Sequence, residues 1–370
     1  MREFANIPYA VLAATVFLFV LTCRIRWRTR IVWTLFLALC CAKVKVCAVL
    51  GGSLFYPEMP AGVLWTWNWA YFGAIFLSVL ALPFCLWRSP RKAWVLPAVA
   101  WTLSAVSLWN CIRPPAVHEV VLTFPGLPAE LDGYRIAQVT DLHCSSEARG
   151  DRTRAVVDRV NALGADLVCL LGDNVDGSVA DRFDDLVPLR DLRAKDGVWA
   201  VTGNHESYFE PDAWQAAYRR LGIRFLTNAC VFPRKSLALG GVNDEEADRI
   251  RSASPFAAAP DIAQAFAAAT NGEFRVLMKH RPGPAAANLP RHGIDLQLSG
   301  HTHGGFMPGI SRLVRNVNCG FLKGVSDFGG RKLCISNGVG QTVGVPLRLF
   351  APSEIVLVVL RRPSAASDRP

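Results

Sequence analysis

Five short segments carry aspartate, asparagine and histidine at spacings suited to metal-assisted hydrolysis. They are Asp141-x-His143 in VTDLH, Gly172-Asp173-x-x-Asp176 in LLGDNVDG, Gly203-Asn204-His205-Glu206 in VTGNHE, His280 in VLMKH, and His301-x-His303 in LSGHTHGG. Carboxylate, carboxamide and imidazole donors suit borderline or hard divalent ions such as Mn, Fe, Zn or Ni. No thiolate lies in these segments, which disfavours a structural zinc site. The candidate donors Asp141, His143, Asp173, Asn204, His280, His301 and His303 exceed the needs of one four-coordinate ion. They fit two ions about 3.5–4 Å apart with a shared carboxylate, the arrangement used for in-line phosphoryl displacement. Asp-x-His and His-x-His place two donors on one side of an extended segment, because strand side chains repeat every second residue. Any one of these segments alone is an ordinary turn; five in this order, each after an apolar run, point to one centre.

The elements that must position them read as an α/β domain. Tyr134–Thr140, Leu167–Leu171, Gly197–Val201, Phe274–Met278 and Leu296–Leu298 are strand-like runs, and each ends where one of the segments begins. Phe225–Thr227, Ser236–Leu239, Lys332–Ile335 and Glu354–Leu360 read as further strands, Arg152–Leu163 and Pro211–Leu221 as helices. Ligands in such sheets sit just beyond the carboxyl ends of the strands, so five strand ends deliver Asp, Asn and His to one crevice. The Ala-rich Asn243–Gly272 reads as mostly helical. Residues 362–370 are polar and Pro-containing and read as a disordered tail.

From Tyr134 to Leu360 the motifs resemble those of the calcineurin-like metallophosphoesterases: DxH, GDxxD, GNH with a following acid, a lone His, and GHxH. The membrane-bound branch of that family, with transmembrane helices ahead of the catalytic domain, is the most similar, and SNGVGQTVGVPLRLFAPSEI is similar to that branch as well. The resemblance implies two mixed sheets packed face to face with helices outside. It implies one metal on Asp141, His143, Asp173 and His303, and a second on Asp173, Asn204, His280 and His301. Asp173 and a hydroxide would bridge them, with His205 as the catalytic histidine and Asp176 as the carboxylate that orients it. Two departures stand out. Gly177 occupies the place where the Ser/Thr protein phosphatases carry a phosphate-gripping Arg, which argues against a phosphoprotein substrate. Phe306 follows GHTHGG where many relatives carry Gln.

The chain is 370 residues long, 51% hydrophobic, only 19% charged, with a formal charge of +10. That composition excludes a mainly disordered chain. Its charge is uneven: residues 1–112 carry ten Lys or Arg against two acids, Glu3 and Glu58, and nine of the eleven Trp. This reads as membrane flanks; no basic stripe suggests nucleic-acid binding. Four apolar stretches, Ile7–Cys23, Ile31–Tyr56, Val63–Trp87 and Ala93–Ile112, approach the ~20 residues of a spanning helix. The charges follow the first stretch, so it reads as a span and not as a cleaved signal. Lys43 and Lys45 interrupt the second; they either snorkel or face the bundle, or hold an anionic lipid headgroup. Arg24, Arg26, Arg28 and Arg30 fill the first loop and Arg88, Arg91 and Lys92 the third. Basic short loops stay cytoplasmic, so four spans put the remainder outside. If Ile31–Tyr56 is a re-entrant hairpin, three spans leave it in the cytoplasm. Eleven Cys, without CxxC spacing, do not form a disulfide framework.

The expected organisation is a transmembrane region at 1–112, a linker with a first strand at 113–133, a metallophosphoesterase domain at 134–361 and a tail at 362–370. The expected function is a membrane-anchored, two-metal phosphohydrolase that cleaves a phosphodiester or pyrophosphate bond. Its partners would be the bilayer and a phosphoester, with a lipid-linked compound such as a UDP-diacylglucosamine-type substrate as one candidate. The rival readings are a catalytically silent membrane receptor or scaffold that keeps the fold, and a transporter regulated by the domain.

Overall fold

The computed structural model describes residues 7–16, 20, 26–51, 57–87, 95–249, 254–270, 272–341 and 345–363. The chain divides into two compact units, Met1–Ile112 with Val343–Leu349, and Arg113–Thr342 with Phe350–Pro370.

The larger unit contains twelve strands among its described residues: β1 (Ala116–Thr123), β2 (Arg135–Val139), β3 (Leu167–Leu170), β4 (Val198–Ala200), β5 (Arg224–Phe225), β6 (Ala229–Arg234), β7 (Leu237–Gly241), β8 (Phe274–Met278), β9 (Leu296–Ser299), β10 (Gly324–Phe328), β11 (Arg331–Ile335) and β12 (Glu354–Arg361). They form two six-stranded mixed sheets, ordered β1-β12-β2-β3-β4-β5 and β10-β11-β9-β8-β7-β6. Within the first, β2, β3, β4 and β5 run parallel; within the second, β7, β8, β9 and β11 do.

Period-2 side-chain alternation builds three apolar layers from these strands. Ile136, Leu167, Cys169, Val356 and Val358 of one sheet meet Leu239, Val276, Met278, Leu296 and Leu298 of the other. The alternate residues Ala137, Val139, Val168 and Leu170 face Val156, Val157 and Val160 of the helix Gly150–Ala162 and Trp214 and Tyr218 of the helix Pro211–Arg220. On the far side Ala238, Leu277 and Leu333 meet Ile262, Phe266, Ala285 and Leu289. The result is helix, sheet, sheet, helix. Burial on both faces favours apolar residues throughout, which is why β3 reads as an unbroken run and β8 departs only at Arg275.

Two expectations need correction here. Asn243–Gly272 is not mostly helical: among its described residues the structure has two 3₁₀ turns, Glu245–Arg249 and Pro255–Ala257, and the four-residue helix Ile262–Ala265. Pro255 and Pro260 break any longer helix, and Asn243 Nδ2 ties the loop down through Pro255 O and Ala258 O (2.8 Å each). Strands β6 and β10, at the two edges of the second sheet, also lie outside the sequence reading.

In the smaller unit, two helices are long and apolar enough to cross a bilayer among the described residues, Ala61–Ala81 and Val95–Ile112. They pack closely: a Cβ on Gly73 would stand 2.5 Å from the Trp101 indole, and Ser104 Oγ donates to Trp69 O (2.8 Å). Of the stretch Ile31–Tyr56, expected as one span or hairpin, the described residues form the helices Trp27–Cys41 and Lys43–Leu50, joined through Ala42, whose backbone stays helical (φ −64°, ψ −16°); residues 52–56 lie outside the described residues. Lys43 turns inward, its ammonium 5.7 Å from the Tyr71 ring centroid and 5.9 Å from that of Phe72, while Lys45 is exposed. Arg24, Arg88, Arg91 and Lys92, most of the span Ile7–Cys23 beyond Thr15, and residues 364–370 of the expected tail lie outside the described residues.

Candidate metal centre

The loops after β2, β3 and β4 in one sheet, and after β8 and β9 in the other, converge at the carboxyl ends of parallel strands. Two contacts lock the sheets together beneath them. Gln138 Nε2 donates to Ser299 O (2.8 Å), and His301 N donates to Asp141 Oδ2 (3.1 Å). This close approach explains the glycine ahead of GHTH: a Cβ on Gly300 would sit 2.1 Å from Thr140 Oγ1. Within the first sheet the loops after β3 and β4 come equally close, which explains the glycine of GNHE: a Cβ on Gly203 would sit 2.1 Å from Asp173 Oδ1.

Three groups of donor atoms result: Asp141, His143 and His303; His143, Asp173 and His205; and Asp173, His280 and His301. His143 Nε2 and His303 Nε2 face each other at 3.3 Å, with Asp141 Oδ1 3.4 Å from His303 Nε2. His280 Nε2 lies 3.1 Å from Asp173 Oδ2 and 3.2 Å from His301 Nδ1. Asp173 Oδ2 is also 3.8 Å from His143 Nε2, so this one oxygen faces both groups, while Oδ1 accepts from His205 N (2.8 Å). Asn204 is buried between Gly203 and His205, and its Oδ1 accepts no hydrogen bond.

The donors do not converge by strand alternation, as the sequence suggested. Asp141, His143, Asp173, His301 and His303 all have φ between 48° and 70°. Left-handed backbone at non-glycine residues is uncommon and gathers at functional sites. Here it turns both members of Asp-x-His and of His-x-His toward one point from loops, not from extended strands.

Behind the donors lies a supporting layer that is partly new. Asp176 is fully buried and serves two rings: Oδ2 is 2.9 Å from His143 Nδ1 and Oδ1 is 2.5 Å from His205 Nδ1. The sequence reading assigned it to His205 alone. His280 Nδ1 instead lies 2.6 Å from Leu171 O. These contacts leave Nε2 of His143 and of His280 free to be ligand atoms. Glu206, quoted in GNHE but given no role, is wholly buried. It accepts from Gly203 N (2.8 Å), Asp173 N (2.9 Å), Asn174 N (2.8 Å) and Tyr218 Oη (3.1 Å), joining the loops after β3 and β4. Asp244 is wholly buried and 2.9 Å from Arg281 Nε; the acidic run after β7 was its only sequence signal.

The departures have structural counterparts. Gly177, at φ 129°, packs against Arg182 and its carbonyl accepts from Trp214 Nε1 (3.0 Å). Phe306 stacks on His303 with ring centroids 5.2 Å apart.

Electrostatics test whether cations fit. Burial pushes the Asp141 carboxyl up, against His280. Burial acts the same way on Asp173, but His280, His205 and His143 outweigh it and hold the carboxyl well below the usual range. Burial opposes charge on His280 and His205 too, yet Asp173 outweighs it, with Asp141 for the former and Asp176 for the latter, and they are pushed up to about 10 and about 9. Burial and the neighbouring His280 hold His301 well below its normal value. The buried acids therefore demand positive charge, and divalent cations meet that demand with neutral imidazoles. The unshared Asp141 Oδ1, which accepts no hydrogen bond, and the all-N/O donor set fit such ions.

Fold and site together define a two-sheet α/β domain with a buried Asp/His cluster compatible with two divalent metals. The chain carries a domain of the calcineurin-like phosphoesterase family, which residues 134–305 match. It is 33% identical over 255 residues to an uncharacterised metallophosphoesterase of Helicobacter pylori, covering 69% of this chain and 66% of that protein. It is 30% identical over 267 residues to a transmembrane protein with metallophosphoesterase domain from Danio rerio, covering 69% and 60%. The chain thus spans less than two thirds of these relatives' length. A 5'-nucleotidase precursor from Thermus thermophilus is similar in structure, with a TM-score of 0.37 and 16% identity over 61% of this chain and 54% of that one.

Proposed function

We propose that the chain is a membrane-anchored phosphohydrolase acting on a phosphodiester or pyrophosphate bond, with a lipid-linked compound as one candidate substrate. The observation that carries this is Asp173 Oδ2, one carboxylate oxygen facing two histidine groups from two sheets. Asp141, His143, Asp173 and His303 would hold one cation and Asp173, Asn204, His280 and His301 the other. Bound there, two divalent cations neutralise phosphoryl oxygens and lower the pKa of a water between them.

The chain's own residues then do the following. Asp176 holds the His205 ring through Nδ1 and leaves Nε2–H toward the centre, 3.9 Å from Asp173 Oδ2. His205 is partly exposed, so it reaches both substrate and the buried carboxylates. In its charged form it donates from Nε2 to the leaving oxygen or to a phosphoryl oxygen as charge builds there. Glu206 keeps the loop after β3 against the loop after β4, which fixes Asp173 relative to His205.

Residues 1–112 serve as the anchor in this reading, with four spans and the catalytic domain outside. The alternative keeps Ile31–Tyr56 within one leaflet and the domain in the cytoplasm. Two apolar helices and relatives named transmembrane proteins support membrane association. A reporter fused after Pro370 decides the side.

The test of the hydrolase is turnover of bis(p-nitrophenyl) phosphate by the full chain in detergent, across Mn, Fe, Zn and Ni. Metal-dependent release of nitrophenolate is expected. No turnover with any of them would instead leave a silent scaffold with the same fold.

A further inference from the structure

The loop that supplies His301 and His303 runs on into a helix, Ile310–Val317, none of whose residues is buried. Ile310 (40% exposed), Leu313 (64%) and Val317 (71%) fall on one stripe of it by the 3.6-residue repeat. Large apolar side chains this exposed, side by side, mark a contact surface. The helix is seated firmly, since Ser311 packs on Gly305, where a Cβ would lie 2.8 Å from Ser311 Cβ, and Ser311 N donates to Met307 O (3.1 Å). The same rim continues through Phe306, stacked on His303, and through Phe350, 70% exposed next to Ala351, which abuts Gly304.

Charge selects the occupant. Residues 306–323 contain Arg312, Arg315 and Lys323 and no acid. On the helix the two arginines project away from the apolar stripe, the amphipathic pattern of a segment lying in the headgroup layer. The chain itself begins β1 only four residues after the apolar helix Val95–Ile112, so a bilayer that holds this helix is at high effective concentration for the domain. We propose that Ile310–Val317, with Phe306 and Phe350, docks the rim of the metal centre into the surface of an anionic phospholipid bilayer. This rests on the membrane-anchored reading above and gives that reading a means of presenting a lipid headgroup to the centre.

The test is hydrogen–deuterium exchange of the full chain in nanodiscs of phosphatidylcholine with phosphatidylglycerol, compared with phosphatidylcholine alone. The proposal expects exchange across 310–317 to slow about tenfold in the anionic discs. Leu313→Ser with Val317→Ser should abolish that protection, and Arg312→Glu with Arg315→Glu should weaken it. Both variants should hydrolyse bis(p-nitrophenyl) phosphate within about twofold of the unaltered chain, because these side chains are solvent-exposed and none is among the donor residues. Equal exchange in both kinds of disc overturns the proposal. So does protection that survives the serine variant, or protection that grows with the number of chains per disc, which would mean a second copy covers the helix. The two readings fail separately: an unaltered chain without turnover sinks the hydrolase, whereas the exchange data decide lipid contact either way.

Discussion

His143 and His280 occupy matching places, one on each sheet, yet the atom behind each ring differs. His143 is backed by the carboxylate of Asp176, which also backs His205. His280 is backed by the main-chain carbonyl of Leu171. A carboxylate raises the basicity of its imidazole and can be lost to one substitution; a carbonyl is set by the fold and cannot. The half containing Asp141, His143 and His303 is thus coupled to His205 through a shared acid. The half containing His280 and His301 is tied to strand β3 itself. One half is tunable and the other is structural.

The largest effect should come from the residue common to both halves. Asp173→Asn removes charge from the oxygen that faces each group, and phosphodiester turnover should fall to the metal-blank level in the same assay. If it retained measurable turnover with both cations bound, the shared role would be lost. His205→Ala comes next, with kcat down about 10²–10⁴-fold and metal content unchanged by elemental analysis. A fall in metal content instead would make His205 a ligand and not a proton donor.

Asp176→Asn sharpens the contrast between halves. It should weaken one of two Mn sites by about 10–100-fold in calorimetric titration and leave the other in place. Equal loss at both sites would erase the distinction. Smaller still, Glu206→Gln keeps one acceptor oxygen and turns the other into an amide NH2, so either the N–H groups of Gly203 and Asp173 or that of Asn174 lose their acceptor. A loss of about 1–3 kcal/mol in thermal unfolding is expected, with KM little altered.

The strands that end at the centre were legible because burial on both faces leaves apolar runs, unbroken in Leu167–Leu170 and interrupted only by Arg275 in Phe274–Met278. The edge strands β6 and β10 were not: ACVFPR carries a Pro, GVSDF is short and half polar, and each is held by antiparallel pairing with β7 or β11. The motifs named the residues that meet at the centre, but the spacing argument gave the wrong local geometry. Left-handed φ at Asp141 or His303 accompanies contacts distant in sequence, such as Gly300 of one sheet against Thr140 and Asp141 of the other, and no local pattern encodes that. Glu206 was visible as a letter in GNHE, yet its role depends on which main-chain N–H groups surround it. Asp176 was read for one ring and holds two.

The account stands most directly on the number of cations held at saturation. Mn counted by electron paramagnetic resonance on the full chain in detergent should reach two per chain, with the line shape of an exchange-coupled pair. A single uncoupled ion, or none, would contradict a carboxylate shared between two metals.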